Sequence, residues 1–151
     1  MVENNLVKTN AKRGDKMNTI LMSIKPEYVS KIFNGEKRYE YRKRSCKNKV
    51  DKIIVYSSSP VQKVVGELII KRVLCNNKNK IWNETNMYGG ITKTKYDKYY
   101  ENCDYAVAYE IEKAILYDKQ KDLKDYNLKV APQSYVYIKN KGVDPNEWKS
   151  R

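Results

Sequence analysis

Apolar positions along the chain fall into short clusters separated by Gly, Pro, Ser and lysine-rich stretches, and the spacing within each cluster indicates its element. Thr19–Ile24 (TILMSI) is a brief apolar run that predicts a strand. Pro26 suits the first turn of a helix whose core stripe is Val29, Ile32 and Phe33, and Gly35 is placed to end it in a left-handed cap. Arg38–Lys43 alternates with the period of a strand. Lys52–Tyr56 (KIIVY) predicts a largely buried strand that stops at Ser57-Ser58-Ser59-Pro60. Val64–Val73 predicts another, with Gly66 marking a bulge or a close approach. Further on, Lys78–Met87 fits a helix broken by Gly89-Gly90, and Thr92 can cap a second one running to about Tyr100. Tyr105–Ile111 and Ser134–Ile138 read as strands, and Leu123–Tyr126 is ambiguous.

Five or six strands with two to four short helices predict an α+β domain built on a small closed or partly closed β-barrel. The crossovers are too short and irregular for a doubly wound parallel sheet. The globular part spans residues 19–139. Residues 1–18 are polar, basic and aperiodic, which predicts a disordered arm in which Met17 is a candidate alternative start. Residues 140–151 read as a loose tail with Trp148 as its one anchor.

Composition narrows the partners. The 151 residues suit one domain, and 31 Lys+Arg against 18 Asp+Glu leave a formal charge of +13. That excess favours a polyanion: RNA or a nucleotide-like ligand first, DNA second. Histidine is absent, which excludes Ser-His-Asp and Cys-His catalysis and every His-containing metal site. Cys46, Cys75 and Cys103 form no CxxC pair, so neither a disulfide framework nor a zinc cage is expected. We expect no metal and no cofactor. No apolar run nears the ~20 residues that span a bilayer, and the charged N-terminus lacks the apolar core of an export signal. The expectation is a cytoplasmic protein without a membrane partner; the sequence does not reveal its oligomeric state.

The chemistry concentrates in Gly35-Glu36-Lys37-Arg38-Tyr39-Glu40-Tyr41-Arg42. On a strand, Tyr39 and Tyr41 share one face while Arg38, Glu40, Arg42 and Arg44 share the other. Either the tyrosines point into the barrel above an outer Glu–Arg ladder, or Glu40 and Arg42 line a cleft and the tyrosines pack elsewhere. A turn after Gly35 can bring Lys37 to the side of Glu40. Arg forks onto phosphates or base edges, Glu accepts from an exocyclic amine, and Lys supplies charge or, when desolvated, a base. The bland alternative is a solvated salt-bridge ladder.

Other residues carry weaker signals. Glu67 interrupts an apolar strand, so it either enters the cleft and pairs with Lys37 or Arg42, or faces outward. Ser57, Ser58 and Ser59 can hold a phosphate or simply make a turn. Lys43, Arg44, Lys47, Lys49 and Lys52 extend the basic run along which a phosphate backbone could track. Helical spacing predicts Tyr96 and Tyr100 in the core, leaves Tyr99 open, and suggests core for Trp82.

Gly35, Lys37, Glu40 and Arg42 match the GxKxxExR signature of the ASCH family, a branch of the PUA-like superfamily. The blocks KIIVYSSSP, VVGELII, GGITKTKYDKYY, YAVAYEI and APQSYVYI resemble successive blocks of small prokaryotic ASCH proteins, so the likeness covers about residues 19–139. The resemblance implies a β-barrel whose cleft faces the motif and binds RNA, in a module of RNA metabolism or transcriptional regulation. It implies Gly35, Lys37, Glu40 and Arg42 as ligand-binding residues, to which the basic run and the strand-end hydroxyls add Lys43, Arg44, Ser57, Ser58 and Ser59. Some relatives are amidohydrolases of acetylated cytidine and another is a ribonuclease; in an enzyme of either kind Lys37, Glu40 and Glu67 would carry the chemistry. Those amidohydrolases have Thr where this chain has Glu40, and a carboxylate cannot replace a hydroxyl nucleophile. The binding module therefore leads, the hydrolase is the alternative, and a protein-interaction domain stands third.

Overall fold

The computed structural model describes residues 6–9, by their backbone, and 18–139. The strands are β1 (Leu6–Thr9), β2 (Thr19–Ile24), β3 (Tyr39–Arg42), β4 (Lys52–Ser57), β5 (Lys63–Asn77), β6 (Tyr105–Lys121) and β7 (Tyr135–Ile138). The helices are α1 (Pro26–Phe33), α2 (Lys78–Thr85) and α3 (Lys93–Tyr99). The strands form a seven-stranded sheet in the order β3-β6-β5-β4-β2-β7, with β1 beside β5. β2 and β4 run parallel, joined through α1 and β3, while the remaining pairs are antiparallel.

The architecture is α+β as expected, but the sheet is not a closed barrel. Among the described residues no backbone ladder joins the end strands β3 and β7. Both are only four residues long, and side chains span the gap between them instead. Arg42 Nη2 donates to the Ser23 carbonyl on β2 at 2.8 Å, and the Asn48 N–H donates to Tyr137 Oη on β7 at 3.0 Å.

Two further expectations change. Residues 6–9, read as part of a disordered arm, form β1. The fifteen-residue β5 outreaches β4, whose pairing ends at Ile69, and β1 takes up the free edge from Arg72 to Cys75. β6 continues well past Ile111 to Lys121, where both faces are mostly exposed and the polar sequence loses its alternation. The rest of the arm except Asn18, and the tail from residue 140, lie outside the described residues.

Burial explains why these segments settle. Ile20, Met22, Ile53, Val55, Leu68 and Ile70 fill one face of the sheet beneath Val29 and Ile32 of α1. Tyr41, Tyr96 and Tyr100 pack with Leu74 and Ile81 on the opposite side, where α2 and α3 lie, and Trp82 joins them half-buried. Each such aliphatic side chain contributes roughly 1.5–3 kcal/mol by leaving water. The ambiguous Leu123–Tyr126 is a 3-10 turn over a third cluster that includes Leu21 and Ile54. Gly66 is the close approach anticipated: a Cβ there would stand 2.4 Å from the Ile115 carbonyl oxygen.

Candidate functional site

β3 does what its alternation demands. Tyr39 and Tyr41 turn toward α2 and α3, so Glu40 and Arg42 face the mouth of the gap between β3 and β2. Lys37 joins them because α1 ends at Phe33 and is followed by Gly35, whose φ of +91 suits glycine, and the chain then folds back so that the Lys37 N–H donates to the Lys31 carbonyl at 3.0 Å.

The three side chains meet on the floor of a cleft of about 720 Å³. Lys37 and Glu40 are 3% and 5% exposed, a burial that ionisable groups tolerate only with partners. The Lys37 ammonium donates to the Gly89 carbonyl at 2.7 Å and lies over the rings of Tyr28 and Tyr41, 5.1 and 4.7 Å from their centroids. Glu40 Oε2 accepts from Arg42 Nη2 at 2.9 Å and Nε at 3.2 Å. Its other oxygen, Oε1, is buried without a hydrogen-bond partner, 3.9 Å from Lys37 Nζ. Burial pulls the Lys37 pKa down, Glu40 opposes the shift, and Arg42 and Lys31 reinforce it.

Around this floor stand groups that the motif does not contain. Tyr28 of α1 and Tyr99 of α3 line the cleft, and Lys25, Lys95 and Lys98 add charge at its edge. Lys25, Lys37, Arg42, Lys95 and Lys98 outnumber the lining carboxylates Glu27 and Glu40, so the cleft is positive. Ser23, Thr94 and Gln133 supply polar atoms. The Gly89-Gly90 pair roofs Lys37 closely: a Cβ on Gly90 would stand 2.6 Å from Lys37 Cβ. In the sequence that pair marks a helix break and opens the GGITKTKYDKYY block.

The other predicted residues scatter. Ser58 lines the cleft, Ser57 is buried at the end of β4, and Ser59 is exposed away from it. Lys43 sits over the outer Tyr99 ring at 4.9 Å, and Arg44 is exposed; neither lines the cleft. Glu67 does not enter it. Facing Ile54 across the β4–β5 ladder, it pairs with Lys52 at 3.2 Å and accepts from the Tyr117 hydroxyl at 2.8 Å. Among the described residues no cluster of acidic or cysteine side chains could hold a metal, and no helix is long and apolar enough to cross a membrane. None of the three cysteines forms a disulfide.

Comparison with known proteins places this geometry. The family model for the ASCH domain matches residues 22–115, more than half of the chain. The chain belongs to the ASCH family. Its ASCH fold is also that of the crystal structure of ASCH from Zymomonas mobilis, with a TM-score of 0.75 and 20% identity over 87% of this chain and 94% of that one. The ASCH domain-containing ribonuclease of Zymomonas mobilis is 24% identical over 90 residues, 59% of this chain and 61% of its own length. Two Ureaplasma parvum proteins are more similar. The large ribosomal subunit protein uL22 is 35% identical over 129 residues, 85% of this chain and 42% of that protein. The ATP synthase subunit alpha is 34% identical over 122 residues, 80% of this chain and 15% of that protein. The chain thus spans less than half of the first curated relatives it matches.

Proposed function

We propose that this ASCH chain binds RNA, drawing one nucleotide unit into the cleft above Lys37 and Glu40 while the strand runs on across the edge lysines. The observation that carries this reading is the buried Glu40 Oε1, which has no hydrogen-bond donor and only a long 3.9 Å ion pair to the buried Lys37 ammonium. A carboxylate oxygen held out of water without a donor is costly, and a ligand N–H or O–H relieves that cost. The volume of about 720 Å³ lies in the range of small-ligand sites, roughly 300–1,000 Å³. The half-buried rings of Tyr28 and Tyr99 suit base stacking, and Lys25, Lys95 and Lys98 suit phosphates. The relative named an ASCH domain-containing ribonuclease supports an RNA ligand. Fluorescence anisotropy with labelled single-stranded RNA, and DNA of the same sequence beside it, tests this: tight, salt-sensitive RNA binding is expected. Equal, weak binding of both would contradict it.

A second reading, cleavage of RNA, draws on Lys37. A lysine whose pKa is lowered by burial can take a proton, here from a ribose hydroxyl. Incubating labelled RNA with the purified chain and with Lys37→Met tests it, and equal product from both would end it. Acetylcytidine belongs in the same assay as the substrate of an amidohydrolase.

A further inference from the structure

Resting on the reading of the cleft as an RNA site, we propose that Arg42 is a positioning residue: it holds the Glu40 carboxylate and straps the open ends of the sheet together, and it does not clamp a ligand phosphate. An arginine grips a phosphate with two adjacent N–H groups presented as a fork. The side fork of Arg42 is committed within the protein, and its end fork is tied at Nη2. Nε and Nη2 converge on Glu40 Oε2 at 3.2 and 2.9 Å. Nη2 also donates to the Ser23 carbonyl at 2.8 Å, and Nη1 reaches Ser134 Oγ at 3.4 Å.

The acceptors come from separate parts of the fold. Glu40 is on β3 at one end of the sheet, Ser23 is on β2, and Ser134 precedes β7 at the other end. Because no backbone ladder joins β3 to β7 among the described residues, this fork helps set the width of the cleft at its floor. It also consumes Oε2 of Glu40, which leaves Oε1 as the oxygen available to a ligand. A lysine at position 42 would keep the charge but could not reach in all these directions from one planar group.

The test separates a strap from a phosphate contact through salt dependence. Binding of labelled single-stranded RNA is measured from about 50 to 300 mM KCl for wild type, Arg42→Lys, Arg42→Ala, Glu40→Gln, the Glu40→Gln/Arg42→Lys pair and Lys98→Ala. Each lost phosphate contact lowers the slope of log K against log salt by about 0.7–1. Lys98→Ala should do so. Arg42→Ala, which removes the charge, should keep the wild-type slope; Arg42→Lys should lose about tenfold in affinity, as expected for one displaced hydrogen-bonded carboxylate. Within the Glu40→Gln background the same change should cost little, because Arg42 acts through Glu40. Wild-type affinity in Arg42→Lys, or a slope in Arg42→Ala reduced by about one contact, would overturn the proposal. NMR of the free protein gives a readout independent of RNA. Slow solvent exchange of the Arg42 Nε–H supports the strap and rapid exchange refutes it, so failure of RNA binding and failure of the strap remain distinguishable.

Discussion

Lys37 Nζ donates to the Gly89 carbonyl at 2.7 Å across 52 positions of sequence, while the nearest carboxylate oxygen, Glu40 Oε1, stands off at 3.9 Å. The ammonium is thus held by the Gly89 backbone, and the acid beside it keeps an oxygen without a hydrogen bond. The Lys37 contact depends on backbone that lies close only because residues 89 and 90 lack side chains.

Gly90→Ala should therefore disturb the site as well as the fold. Gly90 has a φ of +66, and an added Cβ would press on Lys37 Cβ, Cγ and Cδ at 2.6, 2.7 and 2.9 Å. Backbone strain and overpacking together should cost about 1–3 kcal/mol. Urea denaturation should register that loss and RNA anisotropy a weakened complex; an unchanged midpoint and affinity would show that the roof yields freely.

Glu67→Ala should weaken the fold and spare the site. It strips Lys52 of its counter-ion and leaves the Tyr117 hydroxyl without its acceptor, at a cost of about 1–3 kcal/mol. RNA affinity should stay within about a factor of two of wild type, since interactions among separated sites are nearly additive. A large loss of affinity in a folded Glu67→Ala protein would mean the cleft extends to a surface we assign to the scaffold.

Alkaline pH should weaken the fold. Burial pushes the Tyr41 pKa up to about 12 from an ordinary 10, and burial also raises those of Tyr96, Tyr100, Tyr109 and Tyr117. With the folded-state pKa the higher one, the stabilisation is complete below pH 10 and is lost as pH rises through the folded value. At ~1.4 kcal/mol per pH unit, Tyr41 alone accounts for about 2–3 kcal/mol between pH 10 and 12. Lys37 has the opposite sign. Its folded pKa is lowered below the ordinary 10.5, so the unfolded chain binds the extra proton and stability rises with pH between the two values. Urea titrations at stepped pH should show wild type gaining on Lys37→Met as pH climbs toward 10.5, before both decline. A constant difference between the two proteins would show that Lys37 titrates alike in both states.

The sequence displayed what repeats and hid what converges. Period-two alternation around Tyr39 and Tyr41 and the apolar runs at Ile53 and Leu68 marked the strands, and Gly35 marked the turn that returns Lys37 to the cleft. Tyr28, Lys95 and Lys98 lie on the outer sides of α1 and α3 and Lys25 is the N-cap residue of α1, positions where a ligand-facing residue and a solvated one look alike in sequence. Gln133 reaches the cleft only through the pairing of β7 with β2, a contact across more than a hundred residues. Glu67 had two readings because alternation fixes a face but not which face meets the cleft. β1 went unseen since its partner edge exists only where β5 outgrows β4.

The most direct test of the central claim is RNA affinity of Lys37→Met, which keeps most of the buried stem and removes the ammonium. If Lys37 and Glu40 form the floor of an RNA site, the folded variant should bind labelled single-stranded RNA at least about tenfold more weakly than wild type, consistent with loss of a charged contact. Wild-type affinity in a folded Lys37→Met protein would contradict it and assign RNA binding to the basic surface elsewhere.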